Sequence, residues 1–157
     1  MVIKTVYTLF LALLIAFFIG LGIDSFYPTP ARPEYPMELN FAKQNLESTT
    51  EQQNIEKEFY DKQKEYDLLS KVYNRNVSII AVISSIIILV ISLNFMAKIK
   101  MIADGILLGG VFTTVYGIIR GVMSDSSQFR FLIVTIGLII AFVLGYMKFI
   151  KQPKENY

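Results

Sequence analysis

Cysteine and histidine are both missing from this chain of 157 residues. Without a thiol there is no disulfide, no thiolate metal ligand, no lipid-modified cysteine and no cysteine nucleophile. Without an imidazole the chain lacks the commonest general base and the commonest metal ligand. Together the two absences remove most enzyme classes. Charge is scarce as well: 18% of the residues are charged, against roughly 25% in a soluble domain. The formal net charge of +2 is too small, and the basic residues are too scattered, to point to nucleic acid. Sequence patterns that carry chemistry are missing too, among them a Walker loop, a Rossmann glycine fingerprint, H-E-x-x-H and G-x-S-x-G. The acids Glu51, Glu56, Glu58, Asp61, Glu65 and Asp67 lie in a helix-forming stretch. They lack the alternating oxygen ligands and turning glycine of a calcium loop. We therefore expect no enzymatic activity, no cofactor, no metal and no nucleic-acid partner.

Hydrophobic residues make up 54% of the chain, and they are gathered into four long runs. Val6 to Ile23 is the first. It exceeds the roughly 7–15 residues of a signal-peptide core and ends in a poor cleavage site, so residues 1–23 read as a retained signal anchor. Val77 to Ala97, Ile102 to Met123 and Phe131 to Ile150 follow. Each is long enough to cross a hydrocarbon core of about 30 Å as a helix, the conformation that satisfies every backbone group without water. The connectors Lys98–Met101 and Ser124–Gln128 are short enough to force antiparallel neighbours. The expected fold class is an all-α membrane protein with four transmembrane helices. It divides into residues 1–23, a proline-rich linker 24–36, an extramembrane helical hairpin 37–76, transmembrane helices over 77–150 and a basic tail 151–157.

Charge sets the expected orientation. With the N-terminus inside, the cytoplasmic pieces carry Lys4, Lys98, Lys100, Lys148, Lys151 and Lys154 against Glu155. Residues 24–76 would then lie outside with seven basic and ten acidic residues. Raw counting of basic residues favours the reverse. The positive-inside rule weighs short flanks, however, and the short pieces are almost purely basic. The expectation is a multipass protein of the cell (cytoplasmic) membrane, both termini cytoplasmic, residues 24–76 and 124–130 extracytoplasmic.

The polar insert is helical in character from Met37 onward, with neither glycine nor proline. A single helix from Met37 to Arg75 would be about 58 Å long. The 13 residues Asp24 to Pro36 extend at most about 45 Å, so they cannot reach its far end. Capping-box patterns at Ser48–Glu51 and Thr50–Gln53 place the break there. The prediction is a short ascending helix over 37–47, then a longer one from Thr50 through Arg75 that runs unbroken into the second span. Ile55, Phe59, Tyr66, Leu69 and Tyr73 occupy a and d positions of a heptad rhythm on the longer arm. The shorter arm, marked by Leu39, Ala42, Leu46 and Thr49, cannot cover that whole stripe. The remainder is expected to meet another subunit.

Within the apolar runs, small residues recur. Gly105, Gly109, Thr113, Gly117 and Gly121 form a ladder at every fourth residue of the third run. Gly137, Ala141 and Gly145 repeat the theme, as do Ala12, Ala16 and Gly20, and the second run offers Ser78, Ala81, Ser85 and Ser92. Such spacing lets helix backbones approach closely where lipid has removed the hydrophobic drive. The ladder is expected either to pack the bundle or to face another protomer. Asp104 and Arg120, near opposite ends of the third run, are the candidate intramembrane polar site. The leading expectation is an assembly protein that forms a homo-oligomer in the bilayer or docks a larger membrane complex. A small channel or transporter subunit, lined by Thr113, Thr114, Asp104 or Arg120, is the alternative. An accessory membrane sensor is the third.

Overall fold

In the computed structural model, residues 2–37, 50–95 and 99–149 are described. Among them the chain is all helical, with four helices and no strand. α1 is Val2–Phe26, α2 Thr50–Phe95, α3 Lys100–Val122 and α4 Ser127–Phe149. All four are long and apolar enough to cross a membrane. α2, at 46 residues, is about 69 Å long and joins the charge-rich and apolar halves of its sequence without a break. Its described part opens at Thr50. The shorter arm expected over 37–47 lies, beyond Met37, outside the described residues, as do Ser48 and Thr49.

Local chemistry explains the helix ends. α1 stops where Pro28 follows: proline has no N–H to donate and biases the residue before it away from helix. Tyr27 still donates its N–H to the Ile23 carbonyl at 2.8 Å, closing the last turn. α3 closes on Met123, whose N–H reaches the Ile119 and Arg120 carbonyls. The Ser126 hydroxyl accepts the Phe129 N–H at 3.3 Å, supplying one of the acceptors that the first turn of α4 needs.

The chain forms two compact units, Met1–Pro28 with Asn74–Tyr157, and Thr29–Tyr73. In the first, α3 is the central helix. A Cβ built at Gly105 would meet Leu11 of α1, and one at Gly109 would meet Ile15. The numbers rise together, so α1 and α3 run parallel. Against α2 they run oppositely: Gly110 faces Leu89, Gly117 faces Val82 and Gly121 faces Ser78. α4 is antiparallel to α3 as well, through Gly121 against Ile133 and Gly137 against Ile118. The helices of this bundle therefore alternate in direction.

Burial in the bundle differs from that of a water-soluble protein. Ser78, Ser85 and Ser92 are fully buried. Phe18 (76% exposed), Phe131 (77%) and Phe142 (71%) point outward. Apolar exteriors on this scale are unfavourable in water, whereas in lipid they cost nothing. Four such helices are compatible with a multipass helical membrane protein.

The second unit pairs the start of α2 with an extended segment. Thr29 Oγ1 donates to the Tyr73 hydroxyl at 3.1 Å, and Tyr35 meets Phe59 edge-on at 5.2 Å between ring centroids. Six residues of linker thus span fourteen of helix. At 3.1 Å per residue the linker covers about 19 Å in polyproline II form, close to the ~21 Å of helix between its two anchors. Pro30, Pro33 and Pro36 are half-buried while Ala31, Arg32, Glu34 and Tyr35 are exposed. That period of three matches the three residues per turn of a polyproline helix presenting one face. The linker, expected only to connect, is a strap laid antiparallel along α2.

Candidate functional site

The ladder residues lie on one side of α3 but serve different helices. Gly105, Gly109, Thr113, Gly117 and Gly121 are all buried. The Cβ that Gly105 lacks would come within 2.7 Å of a Leu11 methyl, and that of Gly109 within 2.9 Å of Ile15 Cβ. At Gly117 it would lie 2.8 Å from a Val82 methyl and 3.3 Å from the Val82 backbone nitrogen. Thr113 donates its hydroxyl to the Gly109 carbonyl, and Thr114 does the same to Gly110, each at 2.9 Å. These contacts are all within the chain. Within the chain, the close approaches of the ladder are to α1, α2 and α4. Helix-to-helix hydrogen bonds reinforce this packing. Ser78 Oγ donates to the Gly117 carbonyl and Ser92 Oγ to the Ala103 carbonyl, each at 2.7 Å.

Arg120 and Asp104 are not brought together. Sixteen residues of α3 separate them, about 24 Å along the axis. Half-buried Arg120 donates from Nη1 to Asn74 Oδ1 at 3.0 Å. It also donates from Nε to the Tyr116 hydroxyl at 3.2 Å, with its guanidinium 5.4 Å from the centre of the same ring. Nearby in sequence, Asn76 Nδ2 donates to the Tyr27 hydroxyl at 2.9 Å. Arg130 donates twice to the Ser124 carbonyl. These groups form a polar end to the bundle in which amides, phenols and carbonyls receive the guanidinium protons. Neither a family model nor a curated protein nor a solved structure matches this chain.

Asn74 escaped the sequence reading. The signal was available for Asn74: it precedes Ser78, Ser85 and Ser92 on the small and polar face of α2, and it is 6% exposed. Asp104, half-buried, lines a cleft between the N-terminal ends of α1 and α3, with Lys4 and Lys100 on its walls.

The five stripe residues have unequal surroundings. Tyr73 is buried and bonded to Thr29; Phe59 is half-buried against Tyr35; Ile55 and Tyr66 are half-buried. Leu69 is 52% exposed. The open side of this part of α2 carries Tyr60, Leu68, Leu69 and Val72, all exposed. Leu68, Leu69 and Val72 fall within about 100° of one another at 100° per residue. Along the same side, further toward the N-terminus, Lys62 pairs with Glu58 at 2.7 Å across one turn. That hydrogen bond and the lysine charge hold the Glu58 carboxyl below its ordinary range. Among the described residues no group of His, Cys, Asp and Glu is placed to hold a metal.

Proposed function

We propose that this chain is a non-enzymatic, multipass integral membrane protein of the cell membrane, acting as a structural or assembly subunit. Both termini are cytoplasmic, and residues 24–76 and 124–130 are extracytoplasmic. The dense, nearly pure basic character of the short pieces supports that orientation. Its partner is a second copy of the chain or a larger membrane complex, met through the extramembrane part of α2.

The observation that carries this reading is the row Leu68, Leu69 and Val72. Three large apolar side chains are grouped on one side of a charge-rich helix, each about half exposed. An apolar group of this kind outside the hydrocarbon is stabilised by covering it. The small-residue face of α3, which packs α1, α2 and α4 within the chain, is the second surface of this reading, where close backbone approach would dock a second copy or a larger complex. Pore lining finds little support: Thr113 and Thr114 are buried and bonded to their own helix, and Arg120 is bonded to Asn74 and Tyr116.

Crosslinking and native mass measurement in mild detergent test the proposal. The expected outcome is a multimer or a stoichiometric complex that Leu68→Lys with Val72→Lys disperses without loss of helical signal. A chain that runs as a lone monomer, with no partner carried along, sinks it.

A further inference from the structure

A cleft of about 760 Å³ opens between α1 and α3. Its lining is graded along the helices. Lys4 and Lys100 lie at the helix ends; Thr5, Thr8 and Asp104 come next. Leu9 and Leu108 lie farthest from those ends along their helices, with Met101 beside Lys100 in sequence. From Lys4 to Leu9 is about 8 Å of helix, and from Lys100 to Leu108 about 12 Å. The polarity of the wall thus changes from ammonium through hydroxyl to hydrocarbon over roughly the depth of a lipid headgroup region.

Two lysines against one carboxylate leave the lining positive. The N-terminus of α3 adds to this. Its N-cap residue is Ile99, whose side chain makes no capping bond, and a helix N-terminus carries partial positive charge. An amphiphile with an anionic head and apolar chains matches the lining in order. The phosphate meets Lys4, Lys100 and the start of α3, the glycerol esters meet Thr5 and Thr8, and the chains lie beside Leu9 and Leu108.

We propose that this cleft is a binding site for the headgroup of an anionic glycerophospholipid, an inference that rests on the membrane reading above. The test uses the full chain in mild detergent, observed by native mass spectrometry. Phosphatidylglycerol and phosphatidylcholine of identical chains are added in parallel. Phosphatidylglycerol is expected to be retained about tenfold better. Lys4→Gln and Lys100→Gln are each expected to weaken that retention about fivefold, the scale for one basic residue near an anionic surface. Lys4→Arg with Lys100→Arg keeps the charge and is expected to keep the preference, which controls for a folding defect in the glutamine variants. Glycerol phosphate, which has the head but no chains, is expected to leave bound lipid in place. Equal retention of the two lipids, wild-type retention by the double glutamine variant, or displacement by glycerol phosphate overturns the proposal. Alkaline carbonate extraction separates this failure from a failure of the membrane reading. A chain that stays in the membrane pellet yet shows no lipid preference loses only the cleft, whereas a chain released by carbonate loses both.

Discussion

α3 and α4 carry the same kind of small-residue spacing, and only one of them uses it throughout. Every glycine of α3 lies against a side chain that a Cβ would strike. In α4, Gly137 meets Ile118, but Gly145 has nothing within 4 Å and Ala141 is exposed. α1 is divided similarly: Ala12 is fully buried while Gly20 faces open space. Small residues four apart permit close approach without saying where approach occurs. The central helix needs small residues around much of its circumference because three partners press on it. A peripheral helix needs them only where it touches.

Substitutions break or sharpen this contrast, read as reversible unfolding in mixed micelles. The largest effect is expected at Gly117. Valine there pushes a branched side chain into Val82 and the α2 backbone, and we expect a loss on the order of 3 kcal/mol. Gly121→Ala is gentler, because its neighbours are the side chains of Ser78 and Ile133. Their partial adjustment leaves an expected loss of about 1 kcal/mol. Gly145→Ala has the opposite sign. Nothing obstructs the methyl, so the helical preference of alanine over glycine gives a gain of about 0.5–1 kcal/mol. A loss at Gly145 equal to that at Gly121 would erase the distinction between the two helices. Ser78→Ala separates sterics from hydrogen bonding: it keeps the close approach and removes the bond to the Gly117 carbonyl. The expected loss is about 0.6 kcal/mol.

The smallest effect lies outside the bundle, at Glu58 and Lys62. Lowering of the Glu58 carboxyl by Lys62 means that the pair's contribution is present above the ordinary carboxylate range. It is lost as pH falls through the depressed value. Both side chains are largely exposed, so screening keeps the contribution slight. Helical signal is expected to be unchanged between about pH 7 and pH 5, with any decrease only below the ordinary carboxylate range, and Lys62→Ala is expected to remove that decrease.

Much of the architecture was legible in advance. Four runs of about twenty apolar residues read as four helices because a chain in hydrocarbon has no other way to satisfy its backbone. The unbroken run of the long helix into the second span was legible from the lack of glycine and proline between Thr50 and Phe95. The strap was not. Pro30, Pro33 and Pro36 recur every third residue, a polyproline rhythm visible in the sequence, yet nothing local says which surface such a face will lie on. The heptad stripe suggested a helical partner. Among the described residues Tyr35 meets Phe59, and Thr29 meets Tyr73. Arg120 was legible as a polar group within an apolar run, but its bond to Asn74 joins positions 46 residues apart.

Composition and periodicity settle which four apolar runs are helical among the described residues and in what order they come, since each follows from chemistry within a few turns of chain. They also settle which residues are small enough to sit at a helix contact. They do not settle which contacts form. Leu11 against Gly105, Val82 against Gly117 and Ile133 against Gly121 join distant parts of the chain. Several rows of small residues competed for those places, and packing of whole helices chose among them.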